Sequence, residues 1–254
     1  MGSGRSQKND PNDARSVAIA ALRSDRLAQV HPDDHDRVLR LLAKRHRDMA
    51  RMRAKHCTRL HALLLELEAG GIASRINVTK ANAALDAVEV TNEVMRYRVL
   101  IARELVADIA LLDAALTTSK ERVVTAVAAS GTTVTEIVGI GPISAAILIG
   151  FTGDITRFPT RGHFATYNAT APIDASSGPN PRQRLNPQGN RQLNHAIHIA
   201  AVSQLRHDDE ARDYYDRKRT EGKSSKEAIR SLKRRISDRV YRHLVDDARR
   251  VAAS

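Results

Sequence analysis

The chain's 254 residues carry 41 Lys and Arg against 29 Asp and Glu, a formal charge of +12. That length buries one substantial core or two modest domains, and that charge asks for a polyanionic partner, nucleic acid first and an anionic membrane second. A lone cysteine, Cys57, excludes an intrachain disulfide and any cysteine-based zinc site; the absence of Trp and the 3% of aromatic residues disfavour single-strand binders that stack bases on aromatic platforms.

No apolar run is long enough to span a bilayer and no signal-peptide pattern appears, so the expectation is a soluble, cytoplasmic protein with no membrane partner. Ala, Leu and Val dominate while Gly and Pro gather in a few places, which predicts a mainly α fold. Three regions are expected: 1–30, an N-terminal remnant whose first four residues, MGSG, read as an expression scar or a truncated start; 31–130, a long helical or coiled-coil region; and 131–254, a helical domain containing a helix-hairpin-helix.

In chain order, Asp10, Pro11 and Asp13 fit the N-cap, first and third positions of a helix that runs to about Arg23. Both carboxylates suit the positive end of a helix. Alternatively, their spacing puts them on one face, where they would hold Mg²⁺ with acidic ligands from elsewhere. From His35 to Leu67, Val38, Leu42, Met49, Met52, Leu60, Leu63, Leu64 and Leu67 recur at three- and four-residue steps, with Arg40, Lys44, Arg45, Arg47, Arg51, Arg53, Lys55 and Arg59 between them. This is one strongly basic helix, either a solvated face or a surface for phosphate. Gly70-Gly71 breaks it, and a second long helix is expected from about Thr79 to Ala129. Two such helices predict an antiparallel pair or an intermolecular coiled coil, hence a homodimer or higher oligomer. His35, His46, His56 and His61 complete no metal-ligand set and read as surface or seam residues.

Ser130-Gly131 leads into TEIVGIGPISAAIL. Gly139 suits the positive φ that ends a first short helix and Pro142 the first position of the next; backbone N–H groups in such a turn, with Gly139 and Gly141, can hold a phosphate without reading sequence. The bland reading is a hairpin whose glycines allow close packing. After GDITRF comes a turn-rich passage holding Ser176-Ser177-Gly178, Arg182, Arg184 and Gly189-Asn190-Arg191. A serine can attack a phosphodiester only if its proton is removed and fixed donors meet the charge on the phosphorus oxygens; Arg182, Arg184 and Arg191 are near enough in sequence to be those donors. Arg191, His195 and His198 fall on one face of a helix from Gln192 to Leu205, where His195 is either a proton relay or a structural histidine. The tail from Asp208 to Val251 reads as two charged helices divided at Gly222. Ser224 and Glu227 form a capping box, Leu232, Ile236, Val240, Leu244 and Val251 an inner stripe, and Lys233, Arg234, Arg235, Arg239 and Arg242 an outer margin.

The ordered motifs GIGPISAAILIGFTGDITRF, FATYNATAP, SSG, RLNPQGNRQLNHAIHIAA and YYDRKRTEGKSSKEAIRSLKRRI, over about residues 134 to 245, resemble the C-terminal transposase domain of the insertion-sequence one-ten family, DEDD transposases guided by a bridge RNA. The opening KNDPNDARSVAIAAL is similar to the end of that family's RuvC-like domain, where the last two acidic ligands sit as D-x-x-D. The resemblance implies a DNA recombinase that cleaves and rejoins strands through a serine nucleophile, Ser177 with Ser176 as second choice. It further implies Asp10 and Asp13 as metal ligands, Mg²⁺ in the complete enzyme, and double-stranded DNA and a bridge RNA as partners. The family's first RuvC-like strands, with the other two acidic ligands, have no counterpart here, so the expectation is a truncated or degenerate form with weak or absent metal binding. The alternative is a non-catalytic DNA- or RNA-binding scaffold that uses the helix-hairpin-helix and the basic helices alone.

Overall fold

The computed structural model describes residues 10–23, 35–68, 76–174, 183–184 and 189–253, of which the side chains at 10, 12, 173–174 and 183–184 are not described. The Gly70-Gly71 break, Ser176, Ser177 and Arg182 lie outside the described residues. The chain is mainly α, as its composition and periodicity require. It divides into two units, residues 1–34 and 35–254.

The first unit contains α1, Asp10–Arg23. The helix starts at Asp10 itself, one residue earlier than a cap at that position would give, and Asp13 is exposed in its first turn.

In the second unit α2, His35–Leu67, has the bounds its periodicity gives. The second long helix is two: α3, Val78–Asp86, and α4, Glu93–Ala129. The break is set by capping. Asn77 accepts a hydrogen bond from the Lys80 amide and starts α3 where the period begins, whereas Asn92 accepts one from the Met95 amide and starts a helix where uninterrupted periodicity would place an interior turn.

Helices α2 and α4 form an antiparallel pair. Its seam is marked by His35 Nε2 with Ala126 O at 2.7 Å, His46 Nδ1 with Ser119 Oγ at 3.2 Å, Arg53 Nη2 with Asp113 Oδ2 at 3.1 Å, and Arg98 Nε with Glu66 Oε2 at 2.8 Å. Residue numbers rise along α2 as they fall along α4. The buried stripe of α2 is Leu39, Ala43, Met49, Leu60 and Leu64; Val38 and Met52, expected inside, are exposed, because the face that meets α4 is rotated by about one residue from the one they occupy. His35, His46 and His56 line the seam and His61 is exposed.

The remaining helices are α5, Pro142–Thr152; α6, Arg161–Tyr167; α7, Arg191–His207; α8, Asp209–Thr220; and α9, Ser225–Ala252. Single 3-10 turns at Val134–Glu136 and Ile155–Arg157 flank α5. One two-residue antiparallel pair, β1 (Ile173–Asp174) and β2 (Gln183–Arg184), sets Ile173 opposite Arg184 and Asp174 opposite Gln183.

One core joins the start of α2 and the end of α4 to the last five helices, through Leu39, Ala43, Val123, Val127, Leu148, Phe164, Leu193, Ile197, Leu232 and Ile236. A second, smaller cluster of Leu60, Leu64, Ile76, Leu85, Val106 and Ile109 lies under α3 at the other end of the pair. Contact between α2 and α5 is close enough that a Cβ on Gly150 would lie 2.4 Å from the Arg40 backbone nitrogen. In α9 the capping box of Ser224 and Glu227 forms as expected, and Gly222, at φ +86°, divides α8 from α9. Two residues of α9 depart from expectation. Val251 is 74% exposed, because α9 runs on past Ala248, the last of its residues packed against the core, and Lys233 is buried.

Candidate nucleic-acid interface

Two features of the second unit bear on phosphate chemistry: the turn before α5, and the platform from which residues 172–189 depart and return.

The turn is built from I-G-I-G-P. Gly139 takes φ +83°, and a Cβ there would lie 2.7 Å from Ala200 O on α7, so both conformation and space demand glycine. Gly141 is the N-cap of α5 and Pro142 its first residue; Gly141 has open space around it. Below the turn the buried Gln204 of α7 donates from Nε2 to Val138 O at 2.7 Å, fixing the peptide plane just before Gly139. No side chain caps α5. Its first amides are therefore open to an outside acceptor, at the end of the helix where negative charge is favoured. The limb before the turn is the three-residue 3-10 turn Val134–Glu136, tied to α9 by Asp247, which accepts from Thr132 Oγ1 at 2.8 Å and Thr133 Oγ1 at 2.7 Å.

The platform is the N-A-T turn after α6. Asn168 is fully buried; its Nδ2 donates to Ser237 Oγ at 2.7 Å, and its Oδ1 accepts from Thr170 N at 3.1 Å and Thr170 Oγ1 at 2.6 Å. Ala169 sits at φ +59°, a left-handed conformation costly for alanine that the surrounding bonds hold in place. Asn194 of α7 donates to both Asn168 O, at 3.1 Å, and Ala169 O, at 2.9 Å. Its own Oδ1 accepts from Lys233 Nζ at 2.6 Å. Burial, and then the charge of Arg230, lowers the Lys233 ammonium to about 8. Burial, followed by the charge of Lys233 and the neighbouring His195, also lowers the imidazole of His198 below its ordinary value.

Both ends of the 172–189 excursion meet this platform. A Cβ on Gly189 would lie 2.5 Å from Ala169 Cβ, and Asn190 N donates to Tyr167 O at 2.7 Å. Asn190 Oδ1 accepts from the Gln192 and Leu193 amides at 3.0 and 3.2 Å, capping α7 and leaving Arg191 exposed as its first residue. Further out, β1 pairs with β2.

Of the residues singled out from sequence, Gly139 and Gly141 thus share the turn, while Asn190, Arg191, His195 and His198 lie on or beside the start of α7. Arg184 is in β2 with only its backbone described; Ser176, Ser177 and Arg182 lie outside the described residues. Asp10 and Asp13 belong to the first unit. Two carboxylates of one helix are not a complete ligand set, and among the described residues no three metal-ligating side chains come together. Sequence reasoning missed Asn168, Asn194, Gln204 and Lys233. Two of these had a readable signal, an asparagine within YNATAP and a lysine one step from the inner stripe of α9.

The second unit thus offers, beside the base that Ala169, Gly189 and Asn190 form, an uncapped helix start in a glycine turn, a place suited to an anion. Residues 131–216 match the family described as Transposase IS116/IS110/IS902 family. Over these residues, about a third of its length, the chain is similar to that family of transposases. It is 41% identical over 105 residues to the insertion element IS110 uncharacterized 43.6 kDa protein of Streptomyces coelicolor, 41% of this chain and 26% of that one. It is 31% identical over 109 residues to the insertion element IS116 uncharacterized 44.8 kDa protein of Streptomyces clavuligerus, 42% of this chain and 27% of that one. It is also 34% identical over 112 residues to the insertion element IS900 uncharacterized 42 kDa protein of Mycobacterium paratuberculosis, 43% of this chain and 28% of that one. The chain thus spans about a quarter of the length of the relatives it matches. Among the described residues no helix is long and apolar enough to cross a membrane.

Proposed function

We propose that this protein takes part in DNA transposition, cleaving and rejoining DNA strands through a serine between β1 and β2, Ser177 before Ser176. The observation that carries the reading is the family match over residues 131–216, which spans the glycine turn, the platform and the serine pair. In the reaction the serine Oγ gives up its proton and bonds to the phosphorus of a DNA phosphodiester. The bond from phosphorus to the leaving sugar oxygen breaks, and that oxygen leaves as a hydroxyl after taking a proton. The phosphoserine ester keeps the energy of the broken bond, so attack by another DNA hydroxyl reseals a strand and returns the serine.

The protein's contribution is placement. Arg191 and Arg184 answer charge on the phosphate oxygens, and the start of α5, acting as the second limb of a helix-hairpin-helix, holds a neighbouring phosphate. Asp10 and Asp13, with further acidic ligands from elsewhere, would hold Mg²⁺, which when bound supplies Lewis acidity to the phosphate. Partners are double-stranded DNA and a bridge RNA. A homodimer is supported by the outer face of α4, which leaves Val94, Tyr97, Leu100, Ile101 and Leu111 exposed at near-heptad spacing. A second reading, a DNA- or RNA-binding scaffold without chemistry, is supported by the +12 charge and the uncapped start of α5, which bind phosphate without a nucleophile.

Incubation with cognate DNA and guide RNA, followed by denaturing electrophoresis, separates the two. The transposase reading expects a covalent protein–DNA species lost in Ser177→Ala. Salt-sensitive binding without any such species supports the scaffold, and loss in Ser176→Ala alone moves the nucleophile by one residue.

A further inference from the structure

We propose that Arg157 and Arg40 form a phosphate-binding station for duplex DNA, set on an aromatic platform beside the base of the 172–189 excursion. The proposal rests on the reading that this protein handles DNA. It assigns a role to two residues outside the glycine turn and the serine segment.

Arg157 ends the 3-10 turn that Asp154 caps. Its guanidinium carbon lies 4.5 Å from the ring centre of Phe158 and 4.5 Å from that of Tyr167. The rings are themselves held. Phe158 meets Phe164 edge-on at 5.4 Å and Tyr167 at 5.1 Å, Tyr241 donates its hydroxyl to Phe158 O at 2.9 Å, and Tyr167 donates its own to Phe151 O at 3.1 Å. Phe151 carries the second arginine, with the Arg40 guanidinium carbon 5.0 Å from its ring centre. Backbone contact of α2 with α5 at Gly150 fixes the place from which Arg40 reaches Phe151. Tyr167 links the station to the excursion, since its carbonyl accepts from the Asn190 amide at 2.7 Å and its hydroxyl lies 3.4 Å from Asn190 Nδ2.

Several arginines elsewhere in the second unit are neutralised: Arg53 by Asp113, Arg98 by Glu66, Arg103 by Asp86 and Arg235 by Glu210. Arg157 and Arg40 are exposed, and among the described residues neither has an ion pair or hydrogen bond; their recorded contacts are with the rings. Of the carboxylates close by, Asp154 accepts from Thr156 N at 2.8 Å and Thr156 Oγ1 at 2.7 Å, and Asp36 stands beside Gly153 without a bond to either arginine. A guanidinium lying on a ring uses its face and keeps its N–H edge free, and that edge matches the oxygens of a phosphodiester. Because the rings already restrict both side chains, less rotamer entropy is lost when the anion arrives.

The test is a salt titration of binding to a labelled DNA duplex, comparing the whole protein with Arg157→Gln, Arg40→Gln and Arg157→Lys, with thermal melting of each as a folding check. Each Gln variant is expected to melt like the parent. Each should lower the slope of log affinity against log salt by about 0.9, which is a loss of roughly 8-fold at 0.1 M salt when referred to 1 M. Arg157→Lys is expected to keep the slope, because the charge remains, and it reports on the site even if a Gln variant fails to fold. Unchanged slopes in folded Gln variants overturn the proposal, as does loss of slope in Arg157→Lys equal to that in Arg157→Gln. A reduction seen with structured RNA and absent with duplex overturns the choice of partner. Failure of the parent protein to bind duplex even at low salt instead overturns the DNA-handling reading on which the station rests.

Discussion

The two ends of the antiparallel pair are stabilised differently. Where α2 and α4 meet the last five helices, Phe164, Leu193, Ile197, Leu232 and Ile236 are buried together with polar side chains: Asn168 bonded to Ser237 and Thr170, Gln204 to Val138 O, and Lys233 to Asn194. Such bonds contribute little net energy but make alternative arrangements costly, since each buried partner left unmade costs about 1–3 kcal/mol. Under α3 the cluster is smaller and wholly apolar, and the seam beside it is tied by partly exposed ion pairs such as Arg53 with Asp113 and Arg103 with Asp86. One end fixes the geometry of the surface we propose to handle phosphate; the other holds two helices in register with far less constraint.

The largest difference should appear on truncating buried side chains. Phe164→Ala is expected to cost about 3–5 kcal/mol, because Phe164 is fully enclosed among residues that cannot close over the void, while Leu64→Ala under α3 should cost nearer to ~2 kcal/mol. Urea unfolding followed by circular dichroism compares them, and equal losses would mean that the two ends are equally constrained.

Lys233 gives the second test. Its ammonium is held near 8 in the folded chain against 10.5 ordinarily, so between those pH values the unfolded chain binds the extra proton and stability rises with pH. The gain is at most about 3 kcal/mol. Unfolding free energies measured across this window should rise more in the parent than in Lys233→Met; a parallel pair of curves would show that Lys233 is solvated. The smallest effect belongs to the seam. Asp113→Asn should cost under ~1 kcal/mol and less still in high salt, because the Arg53–Asp113 pair is partly exposed, and a thermal shift assay at two salt concentrations reads both.

Helix bounds were legible in the sequence where local chemistry sets them. The run from His35 to Leu67 is continuous in period, and Ser224 with Glu227 announces α9 through backbone capping alone. The division of α3 from α4 was written in Asn92, yet an asparagine within an apolar period reads equally as a solvated helix position, and only the β-branched run Val88, Val90, Thr91 beside it argues otherwise. For the candidate interface, Gly139 and Pro142 carried their conformations openly. Lys233 did not: its helical phase lies next to Leu232, and nothing local says that Asn194, 39 residues earlier, waits to bond it. The stacking of Arg40 on Phe151 is likewise a long-range fact, decided where α2 crosses Gly150.

Mass spectrometry of the trapped protein–DNA species, after nuclease and trypsin digestion, reads directly whether a serine between β1 and β2 bonds to DNA as proposed. A nucleotide-bearing peptide spanning residues 162–182 is expected, with fragmentation placing the added mass on Ser177. A nucleotide on Tyr167 of that same peptide, on any residue outside it, or cleaved DNA with no linked peptide at all would rule out the serine ester.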